Sequence, residues 1–287
     1  MENNVEFHYI KTNGITIHTA VAGPKDGPLV ILLHGFPEFW YGWKNQIGPL
    51  AEAGNLVVAP DQRGYNVSDK PEEVDQYTLD VLRDDIIGII THFNKEKASV
   101  IGHDWGGAVA WHLGATRPEY VDTLIPINMP HPAVLEKIMM KCPSQFIRSF
   151  YILLFQIPFI PEKALVANRF QLMKSSILHT CCPNSFTEIE LEHYIQSWDQ
   201  PNALTAMLNW YRAIRLGSLM QVPKKEITIP VRMLWGKNDP FLSLKLAKES
   251  IKLCSNGELV LIDDATHWVH HEQVNIVNRF LLTYLSR

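Results

Sequence analysis

Residues 99–108 read SVIGHDWGGA, which is a short apolar run followed by a glycine-rich turn and the start of a helix. Asp104 stands between Gly102 and Gly106, in the pattern G-x-S-x-G with aspartate in place of serine. Such a strand–turn–helix holds its central residue in a strained backbone conformation, and the side chain of that residue projects beyond the end of the sheet. The alternative is that Asp104 caps the helix N-terminus, and this segment alone is compatible with both.

Apolar runs of the same kind recur along the chain and predict further strands. Residues 29–33, 56–59, 231–235 and 259–262 are almost wholly apolar, as expected for strands buried on both faces of a parallel sheet. The run 123–127 is weaker because Pro126 lacks a ladder donor. Asn13-Gly14 predicts an antiparallel hairpin between residues 7–10 and 15–18. Stripes of apolar residues at 79–93 and 274–284 predict helices, so the fold class is α/β with a mostly parallel sheet flanked by helices.

The alternation of strand and helix stops between Met129 and Pro223, in a stretch that reads as helical and aromatic. The sheet pattern resumes at Ile227. We expect a core domain of residues 1–128 and 224–287, with residues 129–223 inserted as an all-helical cap. A cap would cover the carboxyl edge of the sheet, where open α/β proteins bind ligands. The alternative is a helical layer that is packed for stability alone.

The composition excludes several classes of protein. The chain has 287 residues, 46% of them hydrophobic, and a net charge of −4, so neither disorder nor nucleic-acid binding is expected. The N-terminus has no secretory signal pattern, and no apolar stretch reaches the roughly 20 residues of a membrane span. A cytoplasmic protein with reduced thiols is expected, since the four cysteines are too irregularly spaced for disulfides or zinc. The adjacent pair Cys181-Cys182 has no assigned role.

Two residues after later strands are candidate partners of Asp104. In this architecture the chain order is nucleophile, acid, histidine. Asp239 follows the run 231–235 and His267 follows the run 259–262, so Asp239 could orient the imidazole of His267. Four neighbouring residues compete for these roles. Asp263 and Asp264 are expected to have turn roles. His270 and His271 are expected to be solvated or to cap a helix.

The loop after the first buried strand reads HGFPEFW, residues 34–40. In this fold, that loop and the residue after the nucleophile each contribute one backbone N–H to an oxyanion hole. The two donors would be Phe36 and Trp105. His34 is a possible base, but a structural role is expected because His267 has the better position.

These motifs resemble the α/β-hydrolase family and, more narrowly, its soluble epoxide hydrolases. The resemblance covers the chain from about residue 7 to the C-terminus, and it is to the catalytic domain of those enzymes alone. Gln62 and Thr266 are mild departures from the family pattern. The matching motifs are HGFPE at 34–38, DQRGY at 61–65, GHDWGG at 102–107, NWYR at 209–212 and WGKND at 235–239.

An aspartate nucleophile fits a substrate with an electrophilic saturated carbon, because carboxylate attack makes an ester that activated water then hydrolyses. The resemblance implies epoxide hydrolysis to a diol, without metal or organic cofactor. It assigns the oxygen donors to Tyr151 and Tyr211 of the cap, and leaves Tyr194 as a packing residue. Around them we expect a substrate-binding set of His34, Pro37, Phe155, Trp210 and Trp268.

Two other functions stay open. A haloalkane or haloacid dehalogenase of this fold would need a side-chain donor at Phe36 or an arginine at Trp105, and neither is present. The second open function is that of a non-catalytic, ligand-binding member of the same fold family, since fold alone does not assign chemistry. The expected partner is a small apolar epoxide, and the protein is expected to be a monomer or a homodimer.

Overall fold

Eight strands form one sheet in the order β1-β2-β4-β3-β5-β6-β7-β8. The computed structural model describes residues 5–223 and 226–285, without the side chains of residues 140 and 220; the predicted domain limits at residues 1, 224 and 287 lie outside these residues. β1 and β2 form the hairpin, β2 pairs antiparallel with β4, and all other pairs are parallel. The strands are β1 (Glu6–Thr12), β2 (Ile15–Ala22), β3 (Leu29–Leu33), β4 (Leu56–Pro60), β5 (Ala98–His103), β6 (Val121–Ile127), β7 (Val231–Gly236) and β8 (Gly257–Ile262).

The apolar runs form buried strands for the predicted reason. In β3, Ile31 and Leu33 face one hydrophobic core while Val30 and Leu32 face a second core on the other side of the sheet. A strand without an exposed face has no position for a polar residue. The predicted fold class, α/β with a mostly parallel sheet between helices, is therefore confirmed.

Two details differ from the sequence pattern. β6 forms in the middle of the sheet although Pro126 lacks a donor, because the residues before and after it along the chain still bond towards β7: Leu124 N donates to Pro230 O and Asn128 N donates to Leu234 O. The sheet resumes with β7 at Val231 rather than at Ile227. Ile227 makes only an isolated bridge with Cys254.

Twelve helices are described within residues 5–223 and 226–285. They are α1 (Lys44–Glu52), α2 (Leu79–His92), α3 (Trp105–Thr116), α4 (Pro132–Lys141), α5 (Pro143–Arg148), α6 (Tyr151–Leu154), α7 (Ile160–Thr180), α8 (Glu188–Trp198), α9 (Ala203–Arg212), α10 (Leu244–Ile251), α11 (Val269–Glu272) and α12 (Val274–Leu285). Short 3₁₀ helices cover Trp40–Trp43, Val74–Tyr77, Pro118–Tyr120, Ala213–Leu216 and Ser218–Gln221. Within the described part of the chain, no helix has both the length and the apolar character that crossing a bilayer requires.

The segment between β6 and β7 contains α4 to α9 and, where it is described, no strand. Its longest helix, α7, is interrupted at residues 167–170, where the backbone is not helical. Side chains of this segment contact the loops at the carboxyl ends of the strands: Tyr194 bonds to Glu38 and Trp198 bonds to Pro37. The segment therefore lies beside the ends of the strands that carry the candidate site.

Candidate active site

Asp104 lies in the strained turn between β5 and α3. Its backbone has φ 49° and ψ −124°, a conformation that side-chain-bearing residues rarely adopt. The turn is tight enough that a Cβ on Gly102 would overlap Gly106, and a Cβ on Gly106 would overlap Leu33. Asp104 occupies the N-cap position of α3, but its side chain makes no capping hydrogen bond. The alternative role as a helix cap is therefore wrong, and the carboxylate projects away from the helix end.

The carboxyl ends of β7 and β8 bring Asp239 and His267 to Asp104. His267 Nδ1 lies 2.8 Å from Asp239 Oδ2, and His267 Nε2 lies 3.5 Å from Asp104 Oδ2. Asp239 is fixed by further donors: the N–H groups of Phe241 and Leu242 donate to Oδ1. The imidazole is thus held between two carboxylates, one buried and one partly open to solvent.

These charges determine the protonation of His267 and Asp104. Burial lowers the pKa of His267, but the carboxylates of Asp239 and Asp104 outweigh it and raise that pKa to about 10. Burial raises the pKa of Asp104, but the hydrogen bond and charge of His267 outweigh it, so the pKa of Asp104 lies below its usual value. The free site therefore holds an anionic Asp104 beside a cationic His267 at neutral pH.

One backbone N–H already points at the Asp104 carboxylate. Phe36 N donates to Asp104 Oδ1 at 2.9 Å, which leaves Oδ2 on the side of His267. The second predicted donor, the N–H of Trp105, belongs to the first residue of α3, and its role stays a prediction.

His34 holds the loop that carries Phe36. Its Nε2 accepts from Gln62 N at 3.0 Å and its Nδ1 lies 3.0 Å from Gly35 O, so both ring nitrogens are used by the backbone. The Gln62 side chain in turn donates to His34 O, so the residue that departs from the family pattern here has a structural role. Burial lowers the pKa of His34, so the ring is neutral. We therefore replace the expected substrate-binding role of His34 with a positioning role.

Tyr151 in α6 and Tyr211 in α9 lie side by side, with ring centroids 6.0 Å apart. The ring of Tyr211 packs edge-on against Phe36 and Trp105. Burial raises the pKa of both tyrosines, and the negative charge of Asp104 raises it further. Both hydroxyls therefore stay protonated at neutral pH and can donate.

The remaining members of the predicted substrate-binding set divide into two groups. Phe155 packs against Phe36 and Tyr211, and these three rings form what we call the aromatic wall beside Asp104. The other three link parts of the chain through hydrogen bonds: Trp210 Nε1 donates to Arg63 O, Trp268 Nε1 donates to Thr180 Oγ1, and Pro37 O accepts from Trp198 Nε1.

Phe241 belongs to the same wall, although the sequence analysis did not single it out. Its ring lies 5.2 Å from that of His267 and 6.0 Å from that of Tyr151, measured between centroids. Its place directly after Asp239-Pro240 was the signal that could have identified it.

A buried carboxylate behind the site was also missed. Glu38 Oε1 accepts from Tyr194 at 2.8 Å and lies 2.7 Å from His271 Nε2, while Oε2 lies 3.0 Å from His103 Nδ1. His103 Nε2 contacts the backbone carbonyl of His267 at 2.9 Å, which links this group to the candidate base. We call Glu38, His103, Tyr194, His270 and His271 the Glu38 cluster.

One prediction about members of the Glu38 cluster is wrong, and a second is incomplete. His270 and His271 are buried against Glu38 rather than solvated or capping, because β8 and α11 turn them into the interior. Tyr194 does more than pack, since its hydroxyl bonds to Glu38. Burial lowers the pKa of both histidines. Burial raises the pKa of Glu38, but the neighbouring imidazoles outweigh it and hold that pKa well below its usual value.

Three residues of the Glu38 cluster have the spacing of metal ligands. The ligand atoms of Glu38, His270 and His271 lie within 4.8 Å of one another. Both oxygens of Glu38 already accept hydrogen bonds from His103, His271 and Tyr194, so a hydrogen-bond network accounts for the arrangement. No step of the chemistry below depends on a metal here.

Comparisons with known proteins place these observations in context. The family model described as "alpha/beta hydrolase fold" matches residues 28–148. The AB hydrolase superfamily protein YfhM of Bacillus subtilis (strain 168) is 56% identical over 284 residues, which cover 99% of each chain. Epoxide hydrolase 4 of Homo sapiens is 37% identical over 285 residues, which cover 96% of this chain and 77% of the human protein.

Solved structures give the same picture. The crystal structure of the Bacillus megaterium epoxide hydrolase in complex with an inhibitor matches with a TM-score of 0.89 and 28% identity, covering 98% of this chain and 100% of the other. Epoxide hydrolase A of Mycobacterium thermoresistibile matches with a TM-score of 0.83 and 30% identity, covering 98% of each chain.

Proposed function

Because this chain belongs to the epoxide hydrolase group of the α/β-hydrolase family, we propose that it adds water to an epoxide to give a vicinal diol. Membership makes the chain a hydrolase of the class that acts on ether bonds. The observation that supports the mechanism best is the line Asp104–His267–Asp239 together with two protonated tyrosines that lie close enough for the charge of Asp104 to raise their pKa values. The cap of residues 129–223 is part of the proposal, since it supplies Tyr151 and Tyr211.

In the first step, Asp104 Oδ2 attacks a ring carbon of the epoxide. The ring C–O bond breaks, an alkyl ester forms on Asp104, and the epoxide oxygen takes a proton from Tyr151 or Tyr211. Oδ1 is held by the N–H of Phe36, so Oδ2, which faces His267 at the longer distance of 3.5 Å, is the attacking oxygen. The aromatic wall around this point favours an apolar epoxide.

After the ester has formed, the cationic His267 gives its proton to the deprotonated tyrosine. In the second step, the neutral imidazole of His267 removes a proton from water, which attacks the carbonyl carbon of the ester. The first step prepares this one, because esterification removes the charge of Asp104 and with it part of the cause of the raised pKa of His267. The negative charge of the tetrahedral intermediate forms on Oδ1, beside Phe36 N. When the intermediate collapses, its hydroxyl proton passes to the departing alkoxide, which releases the diol and restores the carboxylate, and His267 is left cationic as in the free site.

Hydrolysis of styrene oxide by the purified protein tests the activity, and two variants test the mechanism. Asp104→Asn should abolish diol formation, while His267→Gln should form the ester but not hydrolyse it. The trapped ester would appear as an increase in protein mass equal to one substrate molecule. Asp122→Asn and His92→Gln change exposed residues and are matched controls that should keep full turnover.

Three results would contradict the proposal. The first is the absence of diol from a broad panel of epoxides together with halide release from chloroalkanes, which would favour a dehalogenase. The second is full turnover by Asp104→Asn. The third is a His267→Gln variant that binds substrate normally without gaining mass, because a two-step mechanism requires the ester.

A further inference from the structure

A large exposed apolar surface lies on the outside of the cap. More than half of the large hydrophobic side chains that are exposed in the described part of the chain lie within residues 146–166, which cover the end of α5, α6 and the start of α7. Ile147 is 72% exposed, Phe159 75% and Ile160 64%. Leu153 and Leu154 are also exposed, and they share the short helix α6 with Tyr151. We call residues 146–166 the apolar face.

The exposed hydrophobic side chains of the apolar face are grouped rather than scattered singly over the surface. Single hydrophobic side chains are normal on protein surfaces, whereas a continuous group marks a site that contacts another apolar phase or partner. Phe146 and Phe150 are in ring contact, with centroids 6.3 Å apart, so neighbouring members touch one another.

Positive charges predominate around the apolar face. Residues 137–187 contain six lysine and arginine residues and a single carboxylate, Glu162, in a chain whose net charge is −4. Two of the six, Arg169 and Lys174, pair with Glu192 and Glu188 of α8. Glu162 is partly buried and pairs with Arg212, 2.7 Å away. Lys141 and Lys163 are exposed, one before α5 and one in the first turn of α7, and no carboxylate of the described residues pairs with either. The exposed charge next to the apolar face is therefore positive.

We propose that the apolar face binds the surface of an anionic phospholipid bilayer. Apolar side chains that enter the lipid, surrounded by cations that contact acidic headgroups, are the combination that holds proteins at such an interface. A second copy of this chain fits less well, because a symmetric contact through this face would bring the cations of both copies together.

Binding at this face has a consequence for the proposed reaction. Tyr151 and the exposed Leu153 and Leu154 lie on the same four-residue helix, so the outside of the site wall would rest on the bilayer. Apolar epoxides concentrate in lipid. This consequence rests on the proposed function, whereas binding to the bilayer does not.

Co-sedimentation with vesicles tests the proposal. The protein should bind vesicles of phosphatidylcholine and phosphatidylglycerol more strongly than vesicles of phosphatidylcholine alone, and added salt should weaken the difference. The double variant Phe159→Ser with Ile160→Ser should bind more weakly by about tenfold or by a larger factor. Lys141→Gln and Lys163→Gln should each weaken binding to the anionic vesicles about fivefold.

Ile189→Ser is the matched control. Ile189 is exposed to the same 75% as Phe159, but it stands between Glu188 and Glu190 at the start of α8, where an anionic surface is repelled. Its binding should stay within about twofold of the unchanged protein. Urea denaturation should give the same midpoint for all these variants, which shows that they fold and separates this test from that of the proposed function.

Two outcomes would overturn the proposal. One is equal binding to neutral and anionic vesicles, or binding that the changes at Phe159 and Ile160 do not weaken. The other is dimer formation that those changes abolish, without binding to vesicles, which would assign the apolar face to a second copy.

Discussion

Asp104 depends on its neighbours for a position that its own sequence motif only suggests. Gly35 lies so close that a Cβ at this position would overlap the Asp104 side chain, with Oδ1 only 2.6 Å away. This closeness allows the next residue, Phe36, to donate its N–H to Oδ1. The hydrogen bond therefore requires glycine at position 35 because of space.

Gly35→Ala should lower turnover about 10²- to 10³-fold, because the loop must move and the N–H of Phe36 then no longer reaches the charge that forms on Oδ1. Single-turnover measurements of ester hydrolysis would check this. Gly48→Ala is the matched control, since a Cβ there meets nothing within 4 Å. Unchanged turnover in Gly35→Ala would show that the donor is not needed.

The line of Asp104, Asp239 and His267 could be predicted because each residue lies in the turn or loop that follows a recognisable strand, and parallel strands bring their carboxyl ends together. His270 and His271 were misassigned for the opposite reason. Their burial depends on Glu38, which lies more than 200 residues earlier and on another loop, so no local pattern indicates it.

At the level of elements, α8 and α11 meet at one buried carboxylate. α8 contributes Tyr194 and α11 contributes the two histidines, while Glu38 comes from the loop after β3. A buried charge is tolerated only if its hydrogen bonds are complete. The Glu38 cluster therefore joins the helical segment to the sheet through a contact that is costly to break.

Tyr194→Phe should lower the free energy of unfolding by about 1–3 kcal/mol, since it removes one donor from a buried carboxylate. Urea denaturation would measure the change. Tyr9→Phe serves as control because Tyr9 is exposed, and it should leave stability within about 0.5 kcal/mol. Equal stability of both variants would mean that the Tyr194 hydroxyl does not hold the segment.

The strands could be predicted from wholly apolar runs, and this worked even for β6, where one proline removes one donor only. The helices between β6 and β7 could be recognised as helical but not divided correctly. α5 and α6 are one to two turns long, and residues 167–170 interrupt α7. Such breaks follow from contacts with the rest of the molecule rather than from the local periodicity.

For the molecule as a whole, His267 ties stability to pH. Its pKa rises from the ordinary histidine value of 6.5 to about 10 on folding, so between these values the folded protein holds a proton that the unfolded chain has released. Raising the pH therefore favours unfolding. The contribution of His267 to stability is complete below pH 6.5 and is lost as the pH rises to about 10.

We expect the difference in unfolding free energy between the unchanged protein and His267→Gln to shrink between pH 6.5 and about 10. The limiting slope is about 1.4 kcal/mol per pH unit. Urea denaturation across this range would measure it. His92→Gln, at an exposed residue of α2, should give no such slope. Parallel curves for the protein and His267→Gln would show that the proton is not held in the folded site.

The hydrogen bonds from Tyr194 through Glu38 and His103 to the carbonyl of His267 also connect α8 to the loop that holds the imidazole. Loss of the contact between α8 and Glu38 would therefore leave the partner of His103 short of a donor and weaken the support of that loop. The helical segment thus contributes to the position of the candidate base as well as carrying Tyr151 and Tyr211.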